Sequence, residues 1–312
     1  MSMPELSTNP ARLCPKCGSS TPLSKESRAW PLDWTCSACS YRPPFQDSIV
    51  LTAPELADTV SGFDPADFDF LAKAELEHFW FSARRKLIAS LARKYAPYAK
   101  SFLEIGCGSG NVLNAMARSR DWDRIVGTEI HPRGLNHASQ RLPSNVELIQ
   151  ADARRLPFSE AFDLAGAFDV LEHISEDELV LAKVREALAS GGIFIATVPQ
   201  HPWLWSVADE IAYHERRYRY GELEGKLSSS GFKILFSTSY TTLLLPAMAL
   251  SRLRAKGDRS DTDAKEALRN EFRVSPVLNT MLREVLNLET GLTLLGVRWP
   301  IGGSRVVVAQ KG

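Results

Sequence analysis

"FLEIGCGSGN" (Phe102–Asn111) joins an apolar run to a turn with glycine at every second position, Gly106, Gly108 and Gly110, just before a helix-like run from Val112 to Arg118. Glycine adopts backbone angles closed to other residues and lets main chain approach a ligand closely. A dinucleotide fingerprint, G-x-G-x-x-G, would need its third glycine at position 111, where Asn111 stands, and no Gly-Lys-Ser/Thr follows as in a P-loop. The loop therefore predicts close approach to a ligand without a pyrophosphate cradle. Cys107 sits inside it as a small residue among glycines.

The pattern around the loop alternates. Apolar runs Phe102–Ile105, Arg124–Gly127, Val146–Ile149, Phe162–Phe168 and Ile193–Val198 read as strands, with helical runs between them, including Asp177–Leu188. Such alternation predicts a doubly wound, Rossmann-like α/β sheet whose ligand lies at the carboxyl ends of the strands. Glu129, Asp152 and Asp169 fall there. A carboxylate about 20 residues past a glycine loop can accept both hydroxyls of a ribose, which is the role expected of Glu129. Asp152 could accept from an adenine amino group. An adenosine-bearing ligand is the reading, set against helix capping by the same acids.

"EIGCGSGNVL", Glu129, "ADARRLPF" and "FDVLEHI" resemble, in order and spacing, the motifs of class I S-adenosylmethionine-dependent methyltransferases, among them bacterial ubiquinone-type enzymes. The resemblance runs from about Phe79 to the C-terminus. It implies a seven-stranded sheet with an antiparallel last strand. By it, Glu104 and the Gly106–Gly110 backbone, with Cys107 and Gly108, lie along the methionine part of the cofactor. Glu129 holds the ribose with Ile130 beside it, Asp152 and the Ala153 amide read adenine, and Phe168 lines the pocket. The helix with Phe79, Trp80, Phe81 and Arg84 would be a lid. One departure stands out: the family's Pro-Gly-Gly before the fifth strand reads Ser190-Gly191-Gly192.

Cys14-x-x-Cys17 and Cys36-x-x-Cys39 have the spacing of a four-thiolate zinc ribbon. Four protein thiolates leave no open position, so such a zinc is structural. The chain then divides as residues 1–45, ribbon; 46–96, linker and lid helix; 97–240, cofactor-binding core; 241–312, helical insertion and final strand. Leu71–Ala96 reads as one helix ending at Pro97. Over 312 residues, 37 basic and 37 acidic side chains cancel, which argues against a protein that mainly grips nucleic-acid phosphates. "MSMPELSTNPAR" lacks the apolar core of a secretory signal, and a cytoplasmic location is expected. "YTTLLLPAMALSRLR" (Tyr240–Arg254) falls short of the roughly 18–20 residues that span a bilayer. It reads as a packing segment first and a peripheral membrane contact second.

At the acceptor end, His173 and His214 are the candidate general bases, with His201 a third. Trp203 and Trp205 could wall an acceptor, and Arg216, Arg217 and Arg219 could meet an anionic one. An Asn/Asp-Pro-Pro-aromatic tetrapeptide, usual where such enzymes methylate amines, is replaced by "DVLEHI". The leading reading is transfer of a methyl group to oxygen or carbon of a small-molecule, lipid-linked or saccharide-linked acceptor. An RNA base methyltransferase is the second reading, resting on Arg12, Lys16, Lys25, Arg28 and Arg42 around the ribbon. A non-catalytic scaffold that binds the cofactor is the third.

Overall fold

In the computed structural model, residues 10–24, 28–57, 68–254 and 274–312 are described. In chain order the elements are β1 (Ala11–Leu13), β2 (Ser20–Pro22), β3 (Phe45–Gln46), β4 (Ile49–Leu51), α1 (Phe68–Glu77), α2 (Phe79–Tyr95), β5 (Ser101–Ile105), α3 (Asn111–Ala117), β6 (Arg124–Glu129), α4 (Pro132–Arg141), β7 (Val146–Gln150), β8 (Phe158–Ser159) and β9 (Phe162–Phe168). They continue with α5 (Asp177–Ala187), β10 (Leu188–Pro199), α6 (Val207–Ile211), α7 (Glu222–Ser229), β11 (Phe232–Tyr240), α8 (Leu245–Arg254), α9 (Pro276–Leu294) and β12 (Ser304–Lys311).

The large sheet has the order β11-β12-β10-β9-β5-β6-β7-β4-β3. From β4 to β10 neighbouring strands are parallel, and β12 is antiparallel to both β10 and β11. The antiparallel final strand is as expected. The count is larger than the seven strands expected: residues 45–51, read from sequence as the start of a linker, add β3 and β4 beside β7. β5 lies between β6 and β9, and its two neighbours are reached by connections on opposite sides. That reversal opens a crevice above its carboxyl end, where the glycine loop begins. Buried Phe102, Leu103, Ile105, Val126, Leu164, Phe194 and Val307 fill both faces of the sheet.

The expected single helix over 71–96 is broken at His78. Its backbone is extended (φ −69°, ψ 134°), and its ring accepts a hydrogen bond from the Trp80 amide at 3.4 Å. A cap of this kind starts a new helix, so α1 and α2 are separate. At the Ser190-Gly191-Gly192 departure, Gly191 takes φ +72°, and the register of β10 on β9 shifts between Leu188 and Ile193. The left-handed Gly191 thus makes the turn, with Ser190 at the proline position. Among the described residues no helix is long and apolar enough to cross a membrane. Within the apolar stretch 240–254, Tyr240 and Leu245 are buried, in keeping with a packing role.

The N-terminal module is fastened to the core. β1 pairs with β2 and also with β8, which belongs to the core segment between β7 and β9, so the small sheet is β2-β1-β8. Trp30 and Phe158, both fully buried, share one apolar cluster with Phe162 of β9, and the Phe158 and Phe162 rings meet edge to face at 5.0 Å. Glu147 of β7 accepts from the Ala29 amide at 2.8 Å and the Trp30 amide at 3.3 Å. Phe158→Ala should therefore loosen both units and lower unfolding stability by about 3–5 kcal/mol. Urea denaturation checks this, and a loss below about 1 kcal/mol would contradict a shared core.

Candidate functional site

The glycine loop leaves β5 at Gly106, whose φ is +64°. A Cβ built there would meet Val170 Cγ2 at 2.5 Å, so both conformation and space require glycine. Gly108 follows with φ +52°. Gly110, at φ +80°, precedes α3, and a Cβ on it would meet Ala138 of α4 at 3.0 Å. Gly110 is not among the residues lining the cavity described below; it serves the turn and helix packing. Asn111, where a dinucleotide fold would have glycine, accepts from Arg85 at 2.8 Å and donates to the Glu75 carbonyl at 3.0 Å. Glu75 itself bonds Ser109 of the loop and Arg141 of α4. The residue type at position 111 thus clamps α1 over the loop.

One cavity of about 1230 Å³ opens above the strand ends. A single small-molecule site holds about 300–1,000 Å³, so there is room for two ligands side by side. Glu104, Gly106, Cys107, Gly108, Glu129, Ile130, Asp152, Ala153, Phe168, His173 and His214 all line it. His201, Trp203 and Trp205 do not: the His201 ring stacks on exposed Trp203 at 5.6 Å, and Trp205 donates to Glu210. Of the three arginines in 216–219, Arg217 lines the cavity, whereas Arg216 pairs with Asp177 at 3.2 Å.

At the glycine-loop end, Glu129 Oε2 accepts from the Gly108 amide at 3.0 Å, and its Oε1 accepts from Ile130 and His131 at 2.9 and 3.1 Å. This carboxylate fixes the loop to the end of β6 while facing the cavity. Asp152 is partly in the capping role weighed against ligand binding: it accepts from the Arg154 amide at 2.9 Å and from its guanidinium at 3.1 Å. Glu104 is buried with Oε2 lacking a partner, and burial, opposed by Arg84, holds its carboxyl well above the ordinary range. Burial likewise pushes the Cys107 thiol well up, which suits an inert small residue.

At the other end the chain brings together groups that sequence reading had scattered. Arg84 of α2 pairs with Asp169 at 3.0 Å, donates to the Phe168 carbonyl at 3.0 Å and lies over the Trp80 ring at 4.9 Å. The helix α2 is thereby tied to the end of β9. The His173 and His214 rings meet edge to face at 4.7 Å. His214 Nδ1 is 2.9 Å from Asp209, which also accepts from Arg217 Nε at 2.7 Å. Burial, with His214 nearby, pushes the His173 imidazole down to about 3, so the ring is neutral. Glu172 and Asp209 were not singled out from the sequence. The one available signal was Glu172 standing next to His173. Leu244, Ala247 and Met248 from α8 and its approach, with Leu278 and Leu282 of α9, close the apolar side.

The four ribbon cysteines converge. Cys14 and Cys39 sulfurs are 3.7 Å apart, as are those of Cys17 and Cys36. Tetrahedral bonds of about 2.3 Å place thiolates about 3.8 Å apart. The two knuckles also share a turn: Gly18 and Ser40 both have positive φ and donate to the carbonyls of Cys14 and Cys36.

Gly106→Ala should cost about 1–3 kcal/mol for a non-glycine residue in the left-handed region, added to the Val170 clash. Thermal unfolding measures it, and an unchanged melting temperature would refute the loop geometry.

Residues 103–196 match the family described as "Methyltransferase domain". Relatives include trans-aconitate 2-methyltransferase of Variovorax paradoxus, 29% identical over 40% of this chain and 51% of that protein. Ubiquinone biosynthesis O-methyltransferase of Acinetobacter baylyi is 27% identical over 33% and 45%. A dTDP-3-amino-3,4,6-trideoxy-alpha-D-glucopyranose N,N-dimethyltransferase of Streptomyces venezuelae is 30% identical over 39% and 51%. The chain spans about half the length of these curated relatives. Among solved structures, a chain of the complex between the Haloferax volcanii Trm112 methyltransferase activator and a methyltransferase shares the fold. Its TM-score is 0.52 at 16% identity, covering 81% of this chain and 99% of that one. Over residues 103–196 the chain is thus similar to a methyltransferase domain, and a relative from Mycolicibacterium smegmatis, 25% identical over 51% of this chain and 61% of that protein, is described as a probable S-adenosylmethionine-dependent methyltransferase.

Proposed function

We propose that the protein transfers a methyl group from S-adenosylmethionine to a small-molecule, lipid-linked or saccharide-linked acceptor, at oxygen or carbon, in the cytoplasm. The observation that carries this reading is the single cavity that runs from the glycine loop to the Arg84, Asp169 and His214 end, with volume for cofactor and acceptor together. The residues present fit the cofactor. The partnerless Glu104 Oε2 offers an acceptor to its ammonium group, glycine main chain leaves room for its methionyl part, and Glu129 and Asp152 face the cavity where a ribose and an adenine would lie.

When bound, S-adenosylmethionine supplies a methyl already made electrophilic by its sulfonium sulfur. The task left to the chain is alignment and exclusion of water. Glu104, Glu129 and the loop amides orient the nucleoside. The lid residues Trp80 and Arg84 and the apolar side chains Leu244, Met248 and Leu282 wall the acceptor end. Three relatives named for acceptors as different as a carboxylic acid, a quinone precursor and an amino sugar share this domain, and all three are small molecules.

The ribbon offers little support to an RNA acceptor. Arg12 is buried beneath it, Arg28 pairs with Glu147, and Arg42 donates to the Leu32 carbonyl; Lys25 lies outside the described residues. The four-cysteine cluster reads instead as a structural zinc site that braces the module on the core.

Calorimetry with the cofactor should show binding, and Glu129→Ala should weaken it by about 1–3 kcal/mol, the scale of charge-assisted hydrogen bonds; equal affinity would remove the ribose assignment. With labelled methyl donor, product should form in metabolite or lipid extracts. Labelling of RNA that survives high salt would overturn the acceptor class, and tight binding with no product in any extract would favour a scaffold. The ribbon should carry one zinc per chain by elemental analysis, lost in Cys36→Ser.

A further inference from the structure

Three groups at the acceptor end converge around one point. Glu172 is fully buried, and neither carboxylate oxygen has a hydrogen-bond partner. His173 Nδ1 is buried and has none among the described residues. His214 Nε2 lies 4.0 Å from Glu172 Oε1. Ligand atoms of all three fall within 4.8 Å of one another. Burial first, and Asp169 second, hold the Glu172 carboxyl well above the ordinary range, with Arg84 and Arg217 opposing them; a buried acid without partners is costly.

We propose that Glu172, His173 and His214 bind a divalent transition-metal ion. Two imidazoles and one carboxylate, offered from one side, form a donor set suited to zinc, iron(II), cobalt(II) or manganese(II), with positions left open for other ligands. Bonds of about 2.1 Å at tetrahedral or cis angles place donors about 3.0–3.4 Å apart, so closing the site takes side-chain shifts of about 1 Å. Its supports are already built. Asp209 accepts from His214 Nδ1 at 2.9 Å and directs Nε2 inward, the carboxylate–histidine arrangement common behind metal ligands. Arg217 and Ser206 anchor Asp209 in turn. The Glu215 amide donates to the Glu172 carbonyl at 2.8 Å, which pins the two segments that supply the ligands.

The site lies in the wall of the same cavity as the glycine loop. Its open positions would receive an oxygen donor, so the acceptor would be a molecule with a hydroxyl or carboxylate able to ligate the ion next to the methyl group. That use rests on the methyltransferase reading. Binding of the ion does not, so metal binding without methyl transfer, or the reverse, tells the two apart.

The test uses the full chain, dialysed against pyridine-2,6-dicarboxylate and titrated with Mn²⁺, an ion poorly suited to four-thiolate sites. Total bound metal is counted by elemental mass spectrometry and bound Mn²⁺ is read by electron paramagnetic resonance. Wild type should hold one more divalent ion per chain than Glu172→Gln or His214→Gln, with affinity for Mn²⁺ at least about 10-fold higher. Bound Mn²⁺ should show electron spin-echo modulation from two imidazole nitrogens. Equal metal counts in wild type and both folded variants, or bound Mn²⁺ without nitrogen coupling, overturns the proposal. The spin-echo measurement decides it on wild type alone should the variants fail to fold.

Discussion

Glu104 and Glu172 each hold a carboxyl group inside the protein with oxygens that find no hydrogen-bond partner among the described residues. Parallel strands bring this about. β5 and β9 deliver side chains to the same edge of the sheet, so acids at or just beyond their ends crowd a single cavity. The arginine on the lid is the counterweight: Arg84 lies between Asp169 and the Phe168 carbonyl, and its charge draws on Glu104 as well. What remains unpaired at the two ends of the cavity asks for cations of different kinds. The ammonium and sulfonium of a nucleoside suit the Glu104 end, and a metal suits the end with imidazoles. Charge left over in the folded chain and the chemistry proposed for it are two descriptions of one arrangement.

The order of the chain explains how the cavity is closed. α1 is clamped over the glycine loop through Glu75, Ser109, Asn111 and Arg141, and α2 is fixed by Arg84. These contacts join segments far apart in sequence and are polar, so they can be exchanged for contacts with a ligand at modest cost. The apolar cover from α8 and α9 has no such exchange available. A lid that is polar toward the nucleoside and oily toward the acceptor suits a reaction in which water must be kept from an electrophilic methyl group.

Much of this was legible from sequence. The alternating strands, the loop Gly106-Cys107-Gly108 and the acids Glu129 and Asp152 follow from periodicity and spacing, because long strands and glycine turns write strong local signals. β3, β4 and β8 did not show, since strands of two or three residues carry no readable alternation and exist only by pairing with distant chain. The break at His78 was hidden because neither glycine nor proline marks it; the cap is the histidine ring itself. Glu172 and Asp209 were passed over for a related reason. Their importance comes from what surrounds them after folding, total burial in one case and a histidine and an arginine in the other, and none of that is written next to them in the chain. Gly110 has a packing reason that its motif alone does not write, the approach of α4.

The short hairpin of β3 and β4 has a consequence for how the protein keeps company with other copies of itself. Without it, β7 would be the outermost strand and would show a row of open amides and carbonyls to any passing chain. With it, the sheet ends on a two-residue strand, Phe45–Gln46, next to a tight bend at Asp47 and Ser48, both at positive φ. So brief and abruptly turned a border gives an incoming strand almost nothing to register against. The hairpin thereby works as a guard against runaway strand-to-strand stacking, at a place where the parallel core would otherwise invite it.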